Sequence, residues 1–204
     1  SRNAKLASKV TPQQQAEAQR AIELAMFLNP SDWQLQSVYA ETISDTNPDK
    51  ALKIRQNLLK SHPTGTNALM LGNMALRMAQ SERDAAKKTG LIQLAGSSFE
   101  QAVAIEPDNE MAKQSYADYL RVTGKSEQVT DFLGDDKDLL WKYYLRNSQF
   151  DQALETLNEL FDKNPKDTTV LRGLVLTMEG VGDREQVKHY LELLSELDND
   201  KDSQ

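Results

Sequence analysis

Helix-forming stretches with interspersed apolar residues recur along this 204-residue chain, and several of them end at a proline. In FEQAVAIEPDNEMA (99–112) a run of helix formers stops at Pro107, and polar residues precede the next helical pattern. The segments IELAMFLNPSDWQL (22–35) and LNELFDKNPKDTTVL (157–171) repeat this arrangement. Three similar junctions between helices in one chain predict an internal repeat.

The prolines indicate the period of this repeat. Helix-ending prolines lie at positions 30, 63, 107 and 165, so the successive gaps are 33, 44 and 58 residues. A gap of 33 residues is typical of one helix–turn–helix unit. The second gap predicts one unit with about ten additional residues, and the third predicts two units that together lack about ten.

Small and bulky residues alternate within these units as close helix packing requires. Two helices approach closely only where small residues lie at their crossing and bulky residues fill the space beside it. Leu71-Gly72 provides such a pair in one unit. The corresponding residues elsewhere are Ala95, Phe99 and Ala102; Leu140, Tyr144, Phe150 and Ala153; Leu171, Leu174, Gly182 and Val187; and Ala18, Ile22 and Ala25. Ser31/Asp32, Asp108/Asn109 and Asp167 are the expected caps of the helices that follow the prolines.

With these residues and this period, the chain resembles the tetratricopeptide-repeat (TPR) family over roughly residues 12–197. The resemblance implies an all-α fold, a right-handed superhelical solenoid of about five to six antiparallel helix pairs, some of them degenerate. We expect one solenoid over residues 1–204, with 1–10 and 198–204 frayed. The predicted helices are 12–28, 33–45, 49–61, 66–80, 84–105, 109–123, 126–133, 136–147, 150–163, 168–180 and 184–197.

Residues 81–94 predict a helical extension within one repeat, where Glu82 and Asp84 pair with Lys87 and Lys88 at a solvated hairpin tip. A family-specific contact arm is the alternative to an extension without a role. On the preceding helix, Met70, Met74 and Met78 recur at helical spacing. We expect them to pack against the neighbouring helix, and an adaptable partner groove is the alternative.

Composition removes several classes of function. The net charge of −7 disfavours nucleic acid and an anionic membrane surface. No uninterrupted apolar stretch reaches about 18 residues, so we expect no direct membrane insertion of this segment. The absence of cysteine excludes thiolate metal sites and a cysteine nucleophile, and it fits cytoplasm and periplasm equally.

Candidate chemistry is sparse, and we predict neither enzymatic activity nor a cofactor or metal. His62 and His189 lie in different units, away from any metal-ligand spacing. His62 precedes Pro63, where a cation is favourable at a helix C-terminus. GDDKD (134–138) lacks the alternation of a calcium loop and predicts a capped helix start. A glycan-processing hydrolase of the helical-repeat type would need paired carboxylates in one cavity, and no such pair is evident.

A repeat solenoid presents the first helix of each pair on a concave face. Leu71 and Leu140 occupy the same repeat position, and counting from them predicts the partner-binding residues of that face. They are Asn73, Arg77, Gln114, Asp118, Arg121, Lys142, Arg146 and Arg172. This set is more basic than the acidic chain around it, so it favours another protein or an extended peptide that is acidic or carries a carboxylate. Ordinary solvated side chains are the alternative interpretation.

The resemblance also allows a test of one known binding mode. Chaperone-binding members of the family clamp a terminal carboxylate with a Lys/Asn/Asn/Lys/Arg set, of which only Asn73 matches here. Leu69 and Met111 occupy the lysine positions, so we predict no such clamp. The sequence therefore favours a non-catalytic protein-interaction scaffold. The alternative is a soluble appendage of a larger bacterial envelope-assembly protein for polysaccharide, pilus or cytochrome maturation, in keeping with the half-repeat at the N-terminus and the start at Ser1.

Overall fold

The computed structural model describes residues 11–202, and over these residues it contains eleven α-helices and no strand. The all-α prediction is thereby confirmed. The helices are α1 Pro12–Leu28, α2 Trp33–Thr42, α3 Pro48–Ser61, α4 Gly65–Ser81, α5 Ala85–Ile105, α6 Glu110–Val122, α7 Glu127–Leu133, α8 Lys137–Arg146, α9 Phe150–Lys163, α10 Thr168–Val181 and α11 Arg184–Asp202. The predicted fraying of 1–10, 203 and 204 falls outside the described residues.

Prolines and polar caps determine where the helices stop and start. Helices α1, α3, α5 and α9 each end two residues before a proline, because proline excludes the residue before it from the helical conformation. Asp32, Asn109 and Asp167 then accept hydrogen bonds from backbone N–H groups two or three residues further on. These three side chains satisfy donors at the helix N-termini that have no partner within the helix.

The contacts between residues cluster in two units that divide between Ser115 and Tyr116, within α6. In the first unit, α1 packs on α2, and α2 to α5 pack successively on one another. In the second, α7 packs on α8, and α8 to α11 pack successively. Short turns between contacting neighbours produce the helix–turn–helix pairs that the period predicts. The single solenoid over residues 1–204 stays a prediction.

Two apolar clusters hold these pairs together. In the first unit the buried members of one cluster are Tyr39, Ala40, Ile43, Ala51 and Met74, and Met78 packs against it. In the second unit the buried members are Trp141, Leu157, Val170, Leu171, Leu174, Val175 and Tyr190. Met74 and Met78 therefore pack against neighbouring helices as predicted.

Glycines lie where helices cross most closely. A Cβ atom added at Gly72 in α4 would lie 2.7 Å from Cε1 of Phe99 in α5. At Gly173 in α10 it would lie 2.8 Å from Cδ2 of Leu157 in α9. The predicted role of Leu71-Gly72 in helix approach is confirmed by this contact.

The structure differs from the predicted helix map by more than one residue at two ends. Helix α2 stops at Thr42, three residues early, because residues 43–46 form a hydrogen-bonded turn ahead of Pro48. Helix α11 continues to Asp202, five residues beyond its predicted end, since neither glycine nor proline interrupts residues 198–202.

The longest helix pair in the first unit is α4 with α5. These helices contain 17 and 21 residues, compared with 10 and 14 in α8 and α9. At their turn, Lys87 Nζ lies 3.2 Å from Glu82 Oε2 and also 3.2 Å from Asp49 Oδ1 at the start of α3. The turn between α4 and α5 thus contains the predicted ion pair of Glu82 with Lys87, and Lys87 also contacts α3.

Candidate functional site

The eight residues predicted to bind a partner are divided between the two units. Asn73, Arg77 and Gln114 belong to the first unit, and Asp118, Arg121, Lys142, Arg146 and Arg172 belong to the second. Gln114, Asp118 and Lys142 are partly buried, and the other five are exposed. Their accessibility agrees with the expectation of a surface, and their binding role stays a prediction.

In the first unit, Asn73 and Arg77 lie at one end of a groove between α2 and α4, the first helices of two successive pairs. The groove consists of three adjoining cavities of about 450–480 Å³, which share residues with one another. The α2 wall carries Trp33, Gln34, Ser37, Val38, Glu41, Thr42 and Asp45. The α4 wall carries Thr66, Asn67, Met70, Asn73, Met74, Arg77 and Gln80. We call this the α2–α4 groove.

Exposed apolar side chains distinguish this groove from a second cavity, between α3 and α5. Trp33, Val38 and Met70 line the α2–α4 groove and are 38%, 50% and 38% exposed. The α3–α5 cavity is lined by Leu59, Leu71 and Leu94, none of which is exposed, and by Pro63 and polar residues. Apolar surface that is accessible and surrounded by polar groups is typical of an interaction site. Met70 thus faces the groove, as in the alternative of a partner groove for Met70, Met74 and Met78.

A buried arginine forms part of the groove floor. Arg55 belongs to α3, the second helix of its pair, and only 2% of its surface is exposed. Its Nη1 donates to Ser37 Oγ at 2.7 Å and to Met70 Sδ at 3.0 Å. Its Nη2 donates to Glu41 Oε2 at 3.0 Å. The guanidinium is therefore held from both groove walls.

Burial lowers the pKa of Arg55 because the charged guanidinium is withdrawn from water. The nearby Glu41 carboxylate acts in the opposite direction by favouring the charged form. Arg77 lies close enough for its positive charge to add to the lowering of this pKa. Two guanidinium groups thus repel each other in this groove, beside Glu41 and Asp45 on the α2 wall.

The other end of the groove is fixed by residues that immediately precede prolines. His62, before Pro63, stacks on Trp33 with ring centroids 5.6 Å apart. Glu106, before Pro107, accepts a hydrogen bond from Gly65 N at 2.9 Å through Oε1 and from Asn109 Nδ2 at 2.7 Å through Oε2. Glu106 therefore ties the start of α4 to the end of α5, and its carboxylate lines the groove.

In the second unit, part of the predicted basic set is brought together around Tyr143. Arg146 of α8 pairs with Asp118 of α6 at 3.2 Å. Burial raises the pKa of Tyr143, and the charges of Arg121, Asp118 and Arg146 act on it as well. Lys142 Nζ lies 5.8 Å from the centroid of the Trp141 ring. Arg172 is exposed on α10 and is not among the charges that act on Tyr143.

The sequence interpretation missed Ser37, Glu41 and Arg55. Ser37 and Glu41 lie on α2, which has Tyr39-Ala40 where the aligned helices have a leucine-led pair, so the repeat pattern does not identify their positions. Arg55 lies on the second helix of its pair, whereas the concave-face pattern applies to first helices. Its signal was a charged residue at an apolar position of α3.

The described residues contain no group of three or more His, Asp or Glu arranged to hold a metal ion. His62 caps α3, and Asp136 caps α8 by accepting from Leu139 N at 3.2 Å, so both take the structural positions that the sequence predicts. Within residues 11–202, no helix has the length and apolar character needed to cross a membrane.

Comparison with known proteins gives matches at the level of structure. No protein-family model and no curated protein matches the chain. The structure of TTC0263, a thermophilic TPR protein of Thermus thermophilus, is 18% identical with a TM-score of 0.55, over 83% of this chain and 91% of that one. The human IFIT1 dimer with PPP-AAAA is 17% identical with a TM-score of 0.55, over 91% of this chain and 52% of that one. At these identities the likeness concerns the fold alone.

Proposed function

We propose that this chain, which has the tetratricopeptide-repeat fold, is a non-catalytic scaffold that binds an extended peptide segment of a partner protein in the α2–α4 groove. The observation that carries the proposal is the exposure of Trp33, Val38 and Met70 along one groove. Burying these side chains against a partner would release ordered water from apolar surface, which is the main favourable contribution to association.

Polar groups on both walls suit the backbone and side chains of such a peptide. Gln34 lies beside the apolar residues, and Asn73 and Gln80 lie further along α4; all three are exposed. Amide side chains both donate and accept hydrogen bonds, so they match the alternating N–H and C=O groups of an extended chain. A mostly apolar groove with a few polar groups is the usual form of a specific binding site.

The charges of the groove favour a peptide over nucleic acid. Glu41, Asp45 and Glu106 line it, so negative charge accompanies Arg55 and Arg77. A polyphosphate backbone requires a consistently positive surface. The PPP-AAAA held by IFIT1 therefore has no counterpart in this proposal.

A displayed library of unstructured nonapeptides tests the proposal. Peptides selected on the wild-type protein should lose most of their affinity for Val38→Lys, because the new side chain places a charge among the exposed apolar side chains of the groove. Val181→Lys is the matched control, since Val181 ends α10 and is 52% exposed, compared with 50% for Val38. Equal loss in both variants, or selection of no peptide, would place the binding surface elsewhere.

A further inference from the structure

Arg55 occupies a repeat position that is apolar in the three other helices that end before a proline. It lies eight residues before Pro63, and the residues eight before prolines 30, 107 and 165 are Ile22, Phe99 and Leu157. Phe99 and Leu157 are fully buried and Ile22 is partly buried. Arg55, at 2% exposure, is as enclosed as the apolar residues that it replaces.

Folding does not explain a charge at this position. Withdrawing a guanidinium from water is unfavourable, and pairing it with one carboxylate seldom compensates fully. Replacing buried ion pairs with apolar residues of similar volume is often neutral or stabilising. Since Phe99 and Leu157 fill the same position in other helix pairs, the fold itself accommodates an apolar side chain there.

The two side chains of the Arg55–Glu41 ion pair differ in exposure, and this difference allows another carboxylate to replace Glu41. The Arg55 side chain is 3% exposed, whereas the Glu41 side chain is 64% exposed. Ser37 and Met70 hold the guanidinium from α2 and α4 independently of Glu41. A carboxylate arriving from the groove could therefore take the place of Glu41 while Glu41 turns towards water.

We propose that Arg55 is a carboxylate-binding subsite of the α2–α4 groove, where a carboxylate of the bound peptide replaces Glu41 on the guanidinium. This inference rests on the proposed peptide-binding function and specifies its ligand. The carboxylate belongs to an Asp or Glu side chain or to a peptide C-terminus, and an apolar residue beside it packs on Val38 and Met70. Glu41 then acts as an internal competitor that keeps Arg55 paired in the free protein.

The geometry of the groove supports this arrangement in two respects. Val38 and Met70 are exposed next to Arg55 and line the same cavity, so one apolar side chain and one carboxylate of a peptide reach the site together. Arg77 lies further along α4 and adds a second positive charge. Glu41 takes its hydrogen bond from Nη2 of Arg55, so a carboxylate that replaces Glu41 gains a charge-assisted bond from this donor.

Fluorescence anisotropy with labelled nonapeptides tests the subsite. The peptides share one apolar residue and differ at the adjacent position, which is Glu, Asp, Gln or Asn with an amidated C-terminus. A further set lacks the acid and ends in a free or amidated carboxylate. We expect the wild-type protein to prefer one carboxylate set over its amide by at least about tenfold, the usual effect of a hydrogen bond to a charged group.

Three variants assign this preference to Arg55. Arg55→Leu should abolish it and leave the thermal midpoint unchanged or higher, because leucine fills this repeat position in α9. Glu41→Gln should tighten binding of the acidic peptide severalfold, since it removes the competitor. Arg83→Leu removes an exposed charge outside the groove and should change neither property.

Each outcome decides between the two proposals. Peptide binding that is sensitive to Val38→Lys yet equal for acid and amide peptides would overturn the subsite and leave the groove function intact. Absence of Val38-dependent binding would overturn both. If Arg55→Leu does not fold, Glu41→Gln decides: tighter acid binding supports the subsite, and unchanged binding overturns it.

Discussion

The contact between Gly72 and Phe99 predicts that α4 and α5 cannot accept a side chain at residue 72. A Cβ atom added there would lie 2.7 Å from Cε1 and 2.8 Å from Cδ1 of a ring that is fully buried. The ring has no solvent to move into, so Gly72→Leu forces the helices apart or the ring off its rotamer. Overpacking of this kind costs about 1–3 kcal/mol, and we expect a loss of at least about 2 kcal/mol, because leucine extends well beyond the Cβ that already clashes.

Gly90→Ala provides the control for this prediction. Gly90 is also a helix-interior glycine, in α5, but apart from its chain neighbours and the backbone of its own helix no atom lies within 4 Å of the position that its Cβ would occupy. Alanine there should stabilise the protein by about 0.5–1 kcal/mol through helix propensity alone. Urea unfolding followed by circular dichroism in the far ultraviolet measures both variants. An unchanged midpoint for Gly72→Leu would refute the packing argument and the repeat alignment built on Leu71.

Three further predictions concern the turn between α5 and α6 and the charged residues of the second unit. Glu106→Ala should lower stability by about 1–3 kcal/mol, because Gly65 N and Asn109 lose a charged acceptor, and Glu106→Gln should lower it less; equal stability of all three proteins in urea would contradict this. If the sequence-predicted basic face also binds an acidic partner, Arg121→Glu with Arg146→Glu should weaken capture and retain helicity, since both residues are exposed. Unaltered capture would limit the contact to the α2–α4 groove of the first unit. A hydrogen bond and the positive charge from Lys137 lower the pKa of the Glu159 carboxyl below its ordinary value of 4.5. The contribution of Glu159 to stability is therefore present above pH 4.5 and lost as the pH falls through the lower folded-state pKa. Glu159→Gln should reduce this acid dependence in thermal melts.

Much of the fold was predictable because its determinants are local. Proline acts on the residue before it, and an aspartate cap acts on N–H groups two or three residues away, so both leave signals within a few positions of the sequence. The pairing of Gly72 with Phe99 was predictable for a related reason, since the repeat places a small residue of one helix against a bulky residue of its neighbour. The end of α11 was less predictable because its last residues are polar throughout and contain no breaker.

The candidate site was predictable only in part, because it depends on side chains that converge from several helices. Asn73 and Arg77 follow from the position of Leu71 on the same helix, two and six residues away. Arg55 reaches the groove from the second helix of its pair, through the space between α2 and α4. No periodicity within α3 predicts which neighbours such a long side chain will meet.

One departure from the repeat pattern lies at the α2–α4 groove. The repeat places apolar residues eight positions before the helix-ending prolines, and the one charged exception, Arg55, contributes to the groove floor. At the position just before the proline, His62 stacks on Trp33 and Glu106 caps α4, so both of these joint residues also shape the groove. Sequences agree with their fold at most positions and depart from it where function imposes a second requirement. The position of Arg55 beside Val38 and Met70 is therefore a reason, beyond exposure, to assign binding to this groove.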